Sequence, residues 1–340
     1  MKRKTGNVSA AGWKLWAQGA ALALAMVLAG TGRAAAQSCF MGSDMEPAVQ
    51  SALTTTAQRY FDMTARGDSA SLKLAAIPSL ASNFSGIEGA VKDNQANLAG
   101  AKGTVRPPFL LKAEGAAPLE RAEFLCGVFG TTGQTRNSAV FVIPNLPPGN
   151  YAVTIVDADG SKGAYTVSMV LQQMGTDWKL GGFYVKPSMI KGHDGNWYVT
   201  QARDYKSKGQ THNAWFYFLE ARDLLSPVPF MSTLQTDKLY DESQAAKPTD
   251  MPGDLAAGAK TYKITSAFPL VVGSDLDLVV KYDSADVSNT GQTFQENVAV
   301  MKALLTKFPE FRSAFDGVVA RAVEPSGRDY GTMMPMKDIK

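Results

Sequence analysis

Few residues in this 340-residue chain have types and spacing that would do chemistry. His193-Asp194 and His212 offer metal-ligating atoms, but a metal site needs three or four such groups converging. Gly192-His193-Asp194-Gly195 reads equally as a turn into a helix, with Asp194 or Asn196 as its cap. The turn is the reading adopted, and neither a metal nor a cofactor is expected. Ser188-Met189-Ile190-Lys191 matches the S-x-x-K nucleophile motif, whose enzymes also need S-D-N and K-T-G. Here Lys-Thr-Gly occurs only as Lys4-Thr5-Gly6, in the basic N-terminal segment, so the match is set aside. Asp157-Ala158-Asp159-Gly160 starts like a calcium loop but has its third oxygen residue and distant Glu out of register, so it predicts a hairpin turn. The sequence has no G-x-S-x-G, H-E-x-x-H, phosphate-loop or dinucleotide-binding motif.

The two cysteines, Cys39 and Cys126, bear on location. Lys2, Arg3, Lys4 and Lys14 precede an apolar run from Gly19 to Gly30, and Ala34-Ala35-Ala36 then offers small residues to a peptidase. That order predicts a secretory signal over residues 1–36, cleaved after Ala36, and a periplasmic or secreted product. The run is too short for a membrane anchor, and no later segment is long and apolar enough to span. Gln37 departs from the small residue that a lipidation site at Cys39 would want two places before the Cys. In an oxidising compartment an even cysteine count favours a Cys39–Cys126 disulfide, the other reading being a buried Cys126 with Cys39 free or lipidated. Cleavage removes five of the 34 basic residues and no acid, so 34 − 5 = 29 cations face 31 anions. Without a cluster of Lys or Arg, nucleic acid is an unsuitable partner.

Positioning these residues falls to several units of an α+β chain. Val49, Leu53, Thr56 or Ala57, and Tyr60 mark one buried helical face ending near Gly67, and a second helix is predicted over Ile87–Leu98. Strands follow at 109–112, 121–129, 139–143, 151–155, 165–171 and 178–185, joined by turns such as Pro144–Gly149, which predicts an antiparallel meander. Residues 188–245 are predicted helical, 246–258 a Pro/Gly-rich linker, and 259–340 a small α+β module whose helix packs through Phe294, Val298, Met301, Leu305 and Phe308.

Helices followed by a curled antiparallel sheet ending in Trp178-x-Leu180-x-x-Phe183 resemble the cone-shaped domain of the ketosteroid-isomerase and nuclear-transport-factor-2-like superfamily, over residues 44–187. Ala202, Tyr205, Ala214, Phe218 and Ala221 fall at the small and aromatic positions of a tetratricopeptide repeat, so residues 188–245 resemble a single such hairpin. The whole chain resembles bacterial exported proteins with no assigned activity.

The cone resemblance implies a pocket in which the superfamily's enzymes place an acid and a Tyr. Asp157 continues the face of Tyr151, Val153 and Ile155 toward a cone mouth, and Glu123 shares a face with Leu125 and Phe129. In a pocket either carboxylate would serve as a general base; at a strand end in solvent it would not. Trp197, Tyr198, Trp215 and Tyr217 lie in an aromatic-rich stretch that either packs the units together or forms an exposed patch for a protein or glycan. The expected function is a non-catalytic binding or assembly protein of the cell envelope, recognising an unidentified protein. The alternatives are a small-molecule-binding or isomerase-like cone with a small apolar ligand, and an envelope structural protein.

Overall fold

The helical face that opens at Val49 is borne by α1 (Pro47–Ala65), which buries Leu53, Ala57, Tyr60, Phe61 and Thr64. A computed structural model describes residues 37–128, 133–160 and 163–340. The predicted signal segment 1–36 and Phe129 lie outside the described residues. Gly67, at φ +74°, turns the chain out of α1, and Asp68 caps α2 (Ser69–Leu74) by accepting from the Ser71 amide at 3.0 Å. Left-handed backbone of that kind suits glycine. Two further helices, α3 (Pro78–Ala81) and α4 (Ser85–Leu98), complete one layer.

That layer lies on a six-stranded sheet. Its strands are β1 (Gln37–Met41), β2 (Lys102–Val105), β3 (Phe109–Ala113), and, after the separate strands β4 (Leu119–Cys126) and β5 (Ala139–Leu146), β6 (Gly149–Gly160), β7 (Gly163–Met174) and β8 (Asp177–Pro187). The order is β1-β3-β6-β7-β8, and β2 follows β3's edge by pairing with the far end of β6. The meander predicted for the last three strands is present. The sequence reading differs in several places, and no predicted strand covers β1 or β2. β4 and β5 leave the meander for a second, three-stranded sheet, and the turn expected over Pro144–Gly149 shrinks, because β5 runs on to Leu146 opposite Leu119. Alternation tells which residues share a face, not which sheet they join.

The small sheet covers the face of the large one opposite the helices. Phe124, Phe141, Val153 and Ile155 meet there, whereas Ala152, Val156, Met169 and Leu171 pack under the helices. Residues 151–156 of β6 are consequently buried without a break, as in strands covered on both faces. The Cys39–Cys126 disulfide, with Cα atoms 5.1 Å apart, ties β1 of the large sheet to β4 of the small one.

A short hairpin, β9 (Met189–Ile190) and β10 (His193–Asp194), leads into α5 (Gly195–Ser207) and α6 (Thr211–Leu225). The chain then returns to the first unit. Val228 enters the core between the two sheets, and β11 (Met231–Thr233) pairs with β5 as the third strand of the small sheet. α7 (Leu234–Ala245) follows, held by a capping box between Thr233 and Thr236.

The last sheet comprises β12 (Asp254–Ala257), β13 (Lys260–Val272), β14 (Asp275–Asp283), β15 (Gly317–Val323) and β16 (Asp329–Pro335), in that order. β14 and β15 are parallel, connected through α8 (Thr290–Lys307) and α9 (Phe311–Ala314). The stretch expected as a linker is packed instead: β12 pairs with β13, and Met251 is 3% exposed. One hydrophobic core runs through α5, α6 and this final sheet, joining Phe216, Phe218, Leu278, Tyr282, Phe311 and Phe315. The fold is α+β, with open sheets and no barrel among the described residues.

Candidate functional site

Glu123 lies on the outward face of β4, because Ala122, Phe124 and Cys126 take the inward one; its side chain is 3.9 Å from Arg121. Leu125 beside it is 53% exposed. Of the two placements the sequence left open, Glu123 takes the solvent-facing one. Asp157 does continue the face of Tyr151, but at the end of β6. There Arg106, held at the β2–β3 junction by its amide bonding Ile155 O, donates from Nε and from a terminal nitrogen to the Asp157 carboxylate, at 2.8 and 2.6 Å. Both partners are about two-fifths exposed, at 43% and 41%. With both carboxylate oxygens taken by the guanidinium at an exposed rim, the geometry gives Asp157 no substrate proton to reach.

The aromatic stretch faces inward. Tyr198, Trp215 and Tyr217 are 3%, 8% and 6% exposed, and Trp197 stacks on His193 with ring centroids 3.8 Å apart. The Tyr217 hydroxyl donates to Ala314 O at 2.6 Å, and burial pushes its pKa up. Of the two readings, the stretch takes that of a packing joint, since α6 is covered by α5, α7 and the final sheet. His193 and His212 do not meet. Asp194 caps α5 through the Trp197 amide at 2.9 Å, and His212 lies between Asp250 at 2.8 Å and Glu310 at 3.4 Å. Lys191 pairs with Asp316 and, at 3.7 Å, with Asp275.

The first recess that a small molecule would enter forms where α1 begins. Gly42, at φ +55°, turns the chain from β1 toward the helix and leaves a gap between its first two turns and the sheet. The resulting cleft, about 400 Å³, is walled by Phe40, Met45, Val49, Leu110 and Trp178. Asp44, Glu46 and Lys112 give it a charged rim, and Asn150 and Gln173 a polar end, where the Asn150 amide donates to Gln173 Oε1 at 2.9 Å. Lys112 Nζ sits 4.9 Å from the centre of the Phe40 ring. The Tyr60 hydroxyl, buried below, fixes the floor by donating to Trp178 O at 2.8 Å. The lining is mixed, its apolar side chains standing beside Asp44, Glu46, Lys112 and Thr176 among the polar members.

A second recess, about 440 Å³, opens between α6 and β13 and is lined by Pro187, Leu219, Glu220, Asp223 and Phe268–Val271. Glu220 is the notable member. It is 4% exposed, and burial, reinforced by neighbouring Asp223 and opposed by Lys186, raises its pKa from 4.5 to about 7. No motif marks Glu220. Its signal in the sequence is positional: it follows Phe216 by four residues and precedes Leu224 by four, so the helix must turn this acid inward.

No family model matches this chain, and no curated protein or solved structure is significantly similar to it.

Proposed function

We propose that the protein is an exported, non-catalytic binding protein of the cell envelope that holds a small amphipathic ligand in the cleft beneath α1. The observation carrying this reading is the cleft itself: an apolar floor of Trp178, Met45 and Leu110 with a few polar groups at one end and charges at the rim. Small-molecule sites have this size and make-up. The Cys39–Cys126 disulfide is compatible with an oxidising compartment. No helix among the described residues is long and apolar enough to cross a membrane.

Thermal unfolding of residues 37–340 against a library of apolar metabolites and envelope glycans tests the reading. A ligand at a hundredfold excess over its Kd adds about 2.7 kcal/mol of stability. Ala52 lines the cleft from the exposed side of α1, so Ala52→Trp fills the space without disturbing the core. The expected result is a stabilising compound whose effect disappears in Ala52→Trp. A library without effect, or a shift that survives the substitution, removes the cleft from consideration.

A further inference from the structure

We propose that the groove between α6 and β13 is a second binding site, for a small aliphatic amine whose ammonium group pairs with Glu220 and whose hydrocarbon body lies against Leu219, Phe268 and Leu270. Three observations converge there. Glu220 as a residue is only 4% exposed, its carboxylate opens into the groove, and no group among the described residues donates a hydrogen bond to it. A buried acid without a partner is costly, and a cation supplied from outside would remove the cost. The nearest cation of the protein is committed elsewhere: Lys186 Nζ binds Asp223 Oδ2 at 2.6 Å and Ser226 O at 3.3 Å. The opposite wall is apolar and accessible, since Leu270 is 45% exposed.

The occupant is a small molecule rather than an added strand. β12 covers the edge of β13 only along Lys260–Lys263, so the edge beyond it has no strand partner among the described residues. Pro269 lies in that stretch, and it has no N–H to offer a peptide ladder. Recognition therefore falls to the carboxylate and the apolar wall.

The groups acting on Glu220 are Asp223 on its own helix, Lys186 on β8 and the Tyr198 hydroxyl on α5. With a pKa of about 7, Glu220 is charged at about pH 8 and neutral at about pH 5. Calorimetric titration with hexylamine, hexanol and hexanoate at both pH values tests the site. Hexylamine is expected to bind at the higher pH, hexanol and hexanoate not to. Its affinity should fall by roughly tenfold or more at the lower pH, where the acid is protonated. Glu220→Gln, of matching shape, should lose binding at both pH values while melting cooperatively. Leu270→Ser, which leaves the acid in place, should weaken binding without changing its pH dependence. The proposal is overturned if hexanol binds as well as hexylamine, if Glu220→Gln binds normally, or if a lysine-bearing peptide outcompetes the free amine by more than about tenfold.

Discussion

Glu220 shows how a single side chain carries more than its surroundings suggest. Its pKa is 4.5 in the unfolded chain and about 7 in the fold, so between these values the folded protein holds a proton that the unfolded one has released. Its contribution to stability is therefore fully present below pH 4.5 and is lost as pH rises through about 7. The loss is about 3 kcal/mol at most. Glu220→Gln should accordingly be more stable than the parent at about pH 8 and nearly equal to it at about pH 4, as urea unfolding at the two pH values would reveal. The inward direction of Glu220 was legible from its helical spacing, as the direction of Asp157 was from strand alternation. The partner of Asp157 was not legible, because Arg106 is 51 residues away and reaches it only through the pairing of β2 with β6. Direction is a local property of the chain; pairing depends on topology.

Among the elements, the α5–α6 hairpin is the one whose small residues explain its geometry. Ala202, Ala214 and Ala221 are wholly buried where the helices meet. Gly195 opens α5 against the end of α6, and a Cβ there would come within 2.6 Å of Leu225 Cγ and 3.1 Å of Ala221 O. Gly195→Ala should cost about 1–3 kcal/mol by overpacking, measured as a lower denaturation midpoint with an unchanged slope. The small positions were readable because close helix packing leaves a residue-type signature. β11 left none. Three residues, Met231–Thr233, are too few for an alternation to register, and their partner strand β5 is some ninety residues earlier. The segment read as a linker failed for a related reason. Its Pro and Gly content is that of a loop, yet the pairing of Asp254–Ala257 with β13 and the burial of Met251 arise from contacts invisible in composition.

Among the described residues, a disulfide, the return of β11 to β5 and a core shared by α5, α6 and the last sheet join the parts of the molecule. The disulfide closes a loop of 87 residues and ties the large sheet to the small one. Breaking it by Cys39→Ser with Cys126→Ser should cost about 2–5 kcal/mol. Urea unfolding of the double variant beside the oxidised parent checks this, and reduction of the parent should bring the two curves together. The α+β class followed from periodicity. The degree of integration did not, since a core shared by α5, α6 and the last sheet is a property of tertiary packing rather than of any segment.

The return of β11 to the first unit has a consequence for timing. A chain delivered from its N-terminus can lay its helices on the large sheet as soon as residue 187 has emerged. Its small sheet then consists of β4 and β5 alone, and a two-stranded hairpin is marginal by itself in water. Until Val228 and Met231–Thr233 arrive, the apolar face around Phe141 stays unsealed and its edge unpaired. The first unit thus begins early and closes only once Thr233 has emerged, and during that interval its open edge is where the nascent protein is most exposed to wrong partners.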